Sequence, residues 1–352
     1  MGLKILHSAD WHLDSPLTGF RPEQREFLKE ELGRIPRKMA QLVRREGCDL
    51  VLLAGDLFDG PYRRETAREL YAALEACAVP VFISPGNHDY VTPGSPWLEE
   101  KWPENVHIFT GALTSVTIPE LSCRIYGAGY RSMDCPGVLQ GFRAEGPERY
   151  AVGVVHGDAV QPNSPYCPIT AAQVRDSGLD YLALGHIHKA GSFRVGETLC
   201  TWPGSPMGRG FDETGERGAY IVTLDDRAEC RFVPLDTPRF YELELDTDRC
   251  TVDDLLPGAG TQDFYRITLT GTGEEELPAL RRKLERFPNL ELIDRREKTV
   301  DFWENAGEDT LEGTFFRLLQ EKMENADPES ARCIALAAEI SARLLQGREV
   351  EL

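Results

Sequence analysis

Five of the seven histidines in this chain fall in four of five short segments, each placed where an apolar run stops. The segments are Asp10-Trp11-His12, Gly55-Asp56, Gly86-Asn87-His88-Asp89, Val155-His156-Gly157 and Gly185-His186-Ile187-His188; His7 and His107 stand apart. A short apolar run that ends on Gly, Asp, Asn or His reads as a buried strand delivering a polar rim. Open α/β sheets gather their chemistry at the carboxyl ends of such strands. Leu3–Leu6 predicts a strand before Asp10 and His12, and residues 49–54 predict one before Asp56. Val79–Ser84 leads to Asn87 and His88, Tyr150–Val155 to His156, and Tyr181–Leu184 to His186. Five segments remote in sequence are thereby expected to meet at one rim.

The residue types suggest what the rim holds. Asp10, His12, Asp56, Asn87, His156, His186 and His188 offer oxygen and imidazole nitrogen but no thiolate. That set suits hard or borderline divalent cations such as Mn, Fe, Mg or Zn. The seven donors exceed the needs of one tetrahedral ion and match two ions sharing a bridging carboxylate. His186 and His188 alternate on an extended chain, so a bend is required, and Gly185 is expected to supply it. His7 is read as a buried partner rather than a ligand, and His107 as an ordinary loop or strand-end residue. Trp11, Tyr130 and Trp202 are expected in the core or at its rim. Arg63, Arg64, Arg131, Lys189 and Arg209 lie near the motifs and could touch phosphates, but each taken singly is read as a solvated surface charge.

Bulk properties bound the rest. The chain has 352 residues and 41% hydrophobic content, enough for two domains or one large core with an appendage. Its net charge of −19 argues against a freestanding nucleic-acid binder that relies on a basic surface. Phosphate substrates remain compatible, because two divalent ions would outweigh the charges of Asp10 and Asp56. The nine cysteines form no CxxC pair and fit reduced thiols, hence a cytoplasmic setting. No leader sequence or membrane span is expected, since no apolar run approaches about 20 residues.

Short β-branched runs alternate with helical stretches over the first 235 residues, the pattern of an α/β domain. Helices are expected up to Glu46 and over Glu65–Ala78, and β-hairpins over Ile118–Ala128 and Ser192–Leu224. The glycine-rich stretch Met207–Gly218 is expected to be mobile or shaped by a ligand. A boundary falls near Pro234–Pro238. Beyond it, residues 236–304 read as a small α+β unit, with strands at Phe240–Leu245, Tyr265–Leu269, Leu290–Asp294 and Thr299–Trp303 and a helix at Glu274–Phe287. Residues 305–352 read as two tail helices. The first has a capping box at Asp309 and Glu312, the second an N-cap at Asp327 followed by Pro328.

Taken together, the motifs resemble the calcineurin-like metallophosphoesterase superfamily. Ile5-Leu6-His7-Ser8-Ala9-Asp10-Trp11-His12-Leu13, Ala54-Gly55-Asp56-Leu57-Phe58-Asp59, the run from Asp180 to His188 and Pro203-Gly204-Ser205-Pro206 are similar to its SbcD-like DNA-repair exonuclease branch. The resemblance implies a β-sandwich flanked by helices, with a small α+β capping domain and C-terminal helices. It implies one ion on Asp10, His12 and His188 and a second on Asn87, His156 and His186, with Asp56 between them. Manganese is favoured. His88 would protonate the leaving oxygen. Asp59 stands where archaeal and eukaryotic nucleases of this type carry a second histidine, and is read as the carboxylate that orients His88. The implied activity is a phosphodiesterase acting on DNA with an SbcC-like coiled-coil ATPase, and dimers are common in the family. Two other readings stay open: a phosphodiesterase for small nucleotides, and a non-catalytic metal-bound regulatory subunit. Absence of the arginine that protein phosphatases place after that Asp, where Gly60-Pro61 follows, weighs against a phosphoprotein substrate.

Overall fold

The fold is described from a computed structural model, which covers residues 2–255, 262–272, 277–287, 289–296 and 303–345. Twelve strands build two sheets. They are β1 (Leu3–Ser8), β2 (Leu50–Leu53), β3 (Val81–Ile83), β4 (Val106–Ile108), β5 (Thr114–Ile118), β6 (Cys123–Gly127), β7 (Tyr150–His156), β8 (Tyr181–Gly185), β9 (Gly191–Val195), β10 (Thr198–Trp202), β11 (Gly218–Leu224) and β12 (Ala228–Pro234). One sheet runs β12-β11-β1-β2-β3-β4 and the other β5-β6-β7-β8-β10-β9. The strands β1 to β4 are parallel, as are β6, β7 and β8, so their carboxyl ends point one way within each sheet.

Alternation along the strands explains why the two sheets stack. Ile5, Leu50 and Leu52 face inward to meet Ile125, Val152, Val154, Tyr181 and Ala183 of the opposite sheet. Their neighbours Leu6, Val51 and Leu53 face outward and are covered by helices α1 (Pro22–Gly33), α2 (Ile35–Glu46) and α3 (Arg64–Cys77). Val155, Leu182 and Leu184 do the same on the far face, under a loop-rich layer. The central strands of both sheets are thus buried on both sides, which is why they read as unbroken apolar runs.

The second expected hairpin is corrected. Only β9 and β10 pair as a hairpin, whereas β11 joins β1 and β12 in the other sheet. The first hairpin holds but begins earlier, at Thr114. Trp11, Tyr130 and Trp202 are buried, in keeping with core packing.

By contact density the chain forms two compact units. Among the described residues, the first holds both sheets, residues 2–243, 262–266, 285–287 and 289–291. A three-stranded sheet has the order β13 (Phe240–Asp246), β14 (Phe264–Thr270), β15 (Leu290–Asp294). The second unit holds the helices that follow α4 (Pro96–Glu99) and α5 (Ala171–Ser177) in the chain: α6 (Leu277–Leu284), α7 (Leu311–Glu324) and α8 (Pro328–Leu345). The helix expected from Glu274 starts at Leu277 within the described residues, and the strand expected at Thr299–Trp303 lies outside them apart from Trp303, which sits in a turn. The cap of α7 is Thr310, whose hydroxyl accepts from the Gly313 N–H, rather than Asp309. Asp327 caps α8 as expected, accepting from the N–H groups of Glu329 and Ser330. The tail helices pack through Phe316, Ala338 and Ala342, and leave Leu311, Phe315 and Leu318 exposed on α7. All nine cysteines are free thiols, and among the described residues no helix is long and apolar enough to cross a membrane.

Candidate metal centre

Five strand ends supply the rim. Asp10 and His12 follow β1, Asp56 follows β2, and Asn87 and His88 follow β3; His156 ends β7, and His186 and His188 follow β8. The turns are knitted by backbone bonds, with the Asp10 N–H donating to Gly55 O at 2.9 Å and the His12 N–H to Asp56 O at 2.9 Å. Asp10, His12, Asp56 and His186 all take the left-handed backbone conformation, with φ of 54°, 49°, 51° and 93°. Side chains resist that region, and such residues cluster where function demands a special geometry. The bend expected at Gly185 therefore falls on His186. What Gly185 supplies is proximity, since a Cβ there would strike the Ala54 carbonyl. At Gly86 a Cβ would collide with the Asp56 carboxylate, so only glycine lets that loop approach.

These turns bring most of the seven residues into one buried cluster. Asp10, His12, Asp56, Asn87 and His156 are each at most 5% exposed. Three sets of potential ligand atoms lie mutually within 4.8 Å: Asp10, His12 and His188; His12, Asp56 and His88; and Asp10, Asp56 and His156. Asn87 Oδ1 is 2.9 Å from His156 Nε2. His186 is the outlier. It belongs to none of these sets, although its N–H donates to Asp10 at 3.0 Å and its ring lies 5.3 Å from that of His156.

Several groups face each other in ways that a cation would reconcile. His188 Nδ1–H donates to Glu213 at 2.7 Å, which leaves the Nε2 lone pair facing His12 Nε2 at 3.2 Å. His156 Nδ1–H donates to the Ala54 carbonyl at 2.9 Å, so its Nε2 lone pair points at two acceptors, Asn87 Oδ1 and Asp56 Oδ2, the latter 3.4 Å away. Asp10 Oδ2 and His12 Nδ1 are buried without a hydrogen-bond partner. Buried acceptors aimed at one another are costly unless positive charge lies between them. The residues present therefore fit divalent metal ions.

Electrostatics agree with that fit. Burial pushes the pKa of His12 down, and burial followed by the neighbouring His156 does the same to His186, so both imidazoles are neutral donors. Burial would raise Asp56, but His156, His12 and His88 outweigh it and keep the carboxylate charged. Asp59 is held far below the usual carboxylate range by His12 and His88, of which only His88 is within hydrogen-bond reach, at 2.9 Å against 3.8 Å. The same bond raises the pKa of His88. His88 is the exposed member, with 41% of its side chain open to solvent, and its backbone N–H donates to Asp56 at 2.9 Å.

Three supporting residues escaped the sequence reading. Glu213 is 4% exposed and anchors His188; burial opposes its ionisation, but His188 and Arg209 hold it well below the ordinary range. Arg209 is far from a solvated charge. Its guanidinium lies 2.9 Å from Glu213, 3.1 Å from His188 Nδ1 and 3.7 Å from Asp59. Asp89 accepts from the N–H groups of Gly86 and Leu57, each at 2.7 Å, and of Phe58 at 3.3 Å, which ties the loop after β2 to the loop after β3. Burial and the charge of Asp56 push its pKa up to about 7. His7 is buried against Tyr181 and Thr201, and His107 packs on Phe109, so neither joins the cluster.

Glu213 gives a direct prediction. Glu213→Gln keeps the shape but removes the charge that orients His188, and is expected to weaken divalent metal binding about 10- to 100-fold. Titration calorimetry with Mn would check this; unchanged affinity would show that His188 needs no such anchor.

Comparison with known proteins places the chain. A family model described as calcineurin-like phosphoesterase matches residues 3–190, just over half of the chain. An uncharacterized metallophosphoesterase of Bacillus subtilis (strain 168), YhaO, is 34% identical over 239 residues, 62% of this chain and 57% of that protein. This chain thus spans little more than half the length of that relative. The SbcD component of the nuclease SbcCD from Staphylococcus epidermidis is 23% identical over 326 residues, covering 82% of this chain and 84% of that one. Among solved structures, a dimetal phosphatase from Danio rerio aligns over 65% of this chain and 96% of its own, with 15% identity and a TM-score of 0.46. With a matching family model across both halves of the metal rim, this chain belongs to the calcineurin-like phosphoesterase family.

Proposed function

We propose that the chain is a two-metal phosphodiesterase whose substrate is DNA. The observation that carries the reading is the position of Asp56. One of its oxygens lies 3.8 Å from His12 Nε2 and 3.4 Å from His156 Nε2, between imidazoles from opposite sheets. We assign Asp10, His12 and His188 to one ion, Asn87, His156 and His186 to the other, and Asp56 to both. Bound divalent ions supply Lewis acidity to a phosphoryl oxygen and lower the pKa of water.

The remaining work falls to the chain's own residues. With Nδ1 engaged by Asp59, His88 has Nε2 free to deliver a proton to the leaving oxygen, and it does so from the solvent side of the cluster. Asp59 fixes that tautomer and stabilises the charged ring. Glu213 does the same for the orientation of His188, and Arg209 locks Glu213 while lending positive charge to the rim.

DNA as substrate and a role in repair are supported by the motif resemblance and by the nuclease relative. On that basis we assign residues 1–235 to the phosphoesterase domain, 236–304 to a capping domain and 305–352 to a helical tail. An SbcC-like ATPase is the proposed partner. A chain of net charge −19 needs such a partner to grip DNA, and the exposed Leu311, Phe315 and Leu318 offer it an apolar stripe. Manganese is the proposed metal and the cytoplasm the proposed location.

The test is metal analysis joined to activity. Purified protein is expected to carry about two divalent ions per chain. It is expected to lose hydrolysis of bis(p-nitrophenyl) phosphate on chelation, regain it with Mn, and then degrade linear duplex DNA. Turnover of cyclic nucleotides alone would move the reading to small nucleotides, and no turnover of any phosphodiester after reconstitution would end it.

A further inference from the structure

A groove of about 450 Å³ opens beside the metal centre, entirely within the first compact unit. Arg209, the residue whose guanidinium lies beside His188, Glu213 and Asp59, is part of its lining. A larger groove of about 1080 Å³ between α1, α2 and α3 contains none of the residues of the metal centre, so size alone does not single out a binding site. The smaller groove has both the connection and the chemistry.

Its wall is built from planar groups. The Arg266 guanidinium lies 4.1 Å from the centre of the Phe211 ring. Glu242 and Glu291 hold that guanidinium in place, at 2.9 and 3.0 Å. Phe211 in turn is braced by Phe240, ring centres 5.3 Å apart, and stays half-buried instead of sinking into the core. The lining also includes neutral hydrogen-bonding groups, Thr18, Gln24 and Asn289, with Gln24 Nε2 donating to Asn289 Oδ1 at 3.3 Å. Two acidic side chains, Asp212 and Glu291, line the groove alongside three arginines, Arg21, Arg209 and Arg266, so the lining carries one surplus positive charge, too little for several phosphates lying along it. A flat, uncharged, hydrogen-bonding ring system satisfies such walls. Its volume falls in the range of small-molecule sites, about 300–1,000 Å³.

We infer that this groove is a nucleoside subsite: it takes the base and sugar attached to the scissile phosphate, with the base against Phe211 and Arg266 and its polar edge toward Gln24 and Asn289. The inference rests on the phosphodiesterase reading and specifies what flanks the phosphorus atom. Aromatic and guanidinium planes accept any base face, so the subsite selects for a nucleoside without selecting strongly among bases. The nucleoside can belong to a free nucleotide ester or to a DNA strand.

The experiment compares two chromogenic phosphodiesters with the Mn-loaded full chain: p-nitrophenyl thymidylate, which carries a nucleoside, and bis(p-nitrophenyl) phosphate, which does not. Phe211→Leu keeps apolar bulk against Phe240 but removes the ring, and is expected to lower the ratio of kcat/KM for the two esters about tenfold, mainly through KM. Asn289→Ala is expected to lower the same ratio about threefold. Binding supplies a second readout: adenosine monophosphate is expected to bind at least about fivefold more tightly than ribose phosphate, with that preference lost in Phe211→Leu. A ratio unchanged in both variants, or equal binding of the two monophosphates, would overturn the subsite even if both esters are hydrolysed. Failure of the wild-type chain to turn over either ester would instead overturn the phosphodiesterase reading, while the monophosphate comparison still decides the subsite. A further arm separates the sources of the nucleoside: parallel losses on p-nitrophenyl thymidylate and on a single-stranded oligonucleotide place a DNA nucleotide in the groove, and a loss on the former alone restricts it to free nucleotide esters.

Discussion

Asp56→Asn is expected to reduce hydrolysis of bis(p-nitrophenyl) phosphate by at least about a thousandfold. The same substitution should lower the metal content from about two ions per chain to one or none. The physical basis is the buried position of this carboxylate, 1% exposed between His12 and His156. An amide carries no charge to hold two cations together, and its NH2 would point a donor where a lone pair is required. Gly86 lies so close to this side chain that a Cβ there would collide with the carboxylate. Metal analysis and steady-state kinetics on the folded variant check the outcome, with circular dichroism to confirm the fold. Two bound ions and near-normal turnover in Asp56→Asn would show that the cluster does not rest on this residue.

His88→Ala is expected to separate chemistry from binding. Metal content should stay as in the wild type, because the assigned ligand set is complete without this ring. Hydrolysis of DNA should fall about 10²- to 10⁴-fold, the usual range for a lost general acid. Esters with p-nitrophenolate as leaving group should fall far less, since that anion departs without a proton. The contrast between leaving groups is the diagnostic feature. Equal losses on both substrates would mean that His88 binds the phosphoryl group without protonating anything. Loss of metal would move it into the ligand shell, an outcome that its place in one of the three ligand sets makes worth measuring.

The scaffold of the site was legible in the sequence because strand ends are local events. Each apolar run that stopped at Asp, Asn, Gly or His corresponds to a strand in the structure, and those strands lie where their polar ends converge. What the chain did not reveal was non-local. Glu213 lies 25 residues beyond His188 in a glycine-rich stretch with no periodicity, and its role appears only when the fold turns that stretch back over the rim. Arg209 looks like any other surface arginine until its neighbours are known. Strand β11 is one near-continuous buried run whichever sheet it joins, so its departure from the expected hairpin was invisible locally. At the start of α7, Asp309 and Thr310 are both good caps, and only the observed hydroxyl bond to Gly313 decides between them.

Four of the residues at the rim hold a backbone twist that their own side chains oppose. A glycine at any of them would relax the turn and forfeit the functional group, so relief of tension and retention of chemistry are mutually exclusive there. The surplus needed to sustain such turns must come from elsewhere, and two sheets whose central strands are buried on both faces provide it. The bulk of this molecule is therefore a requirement of its few reactive atoms: a thinner sandwich would let those turns unwind.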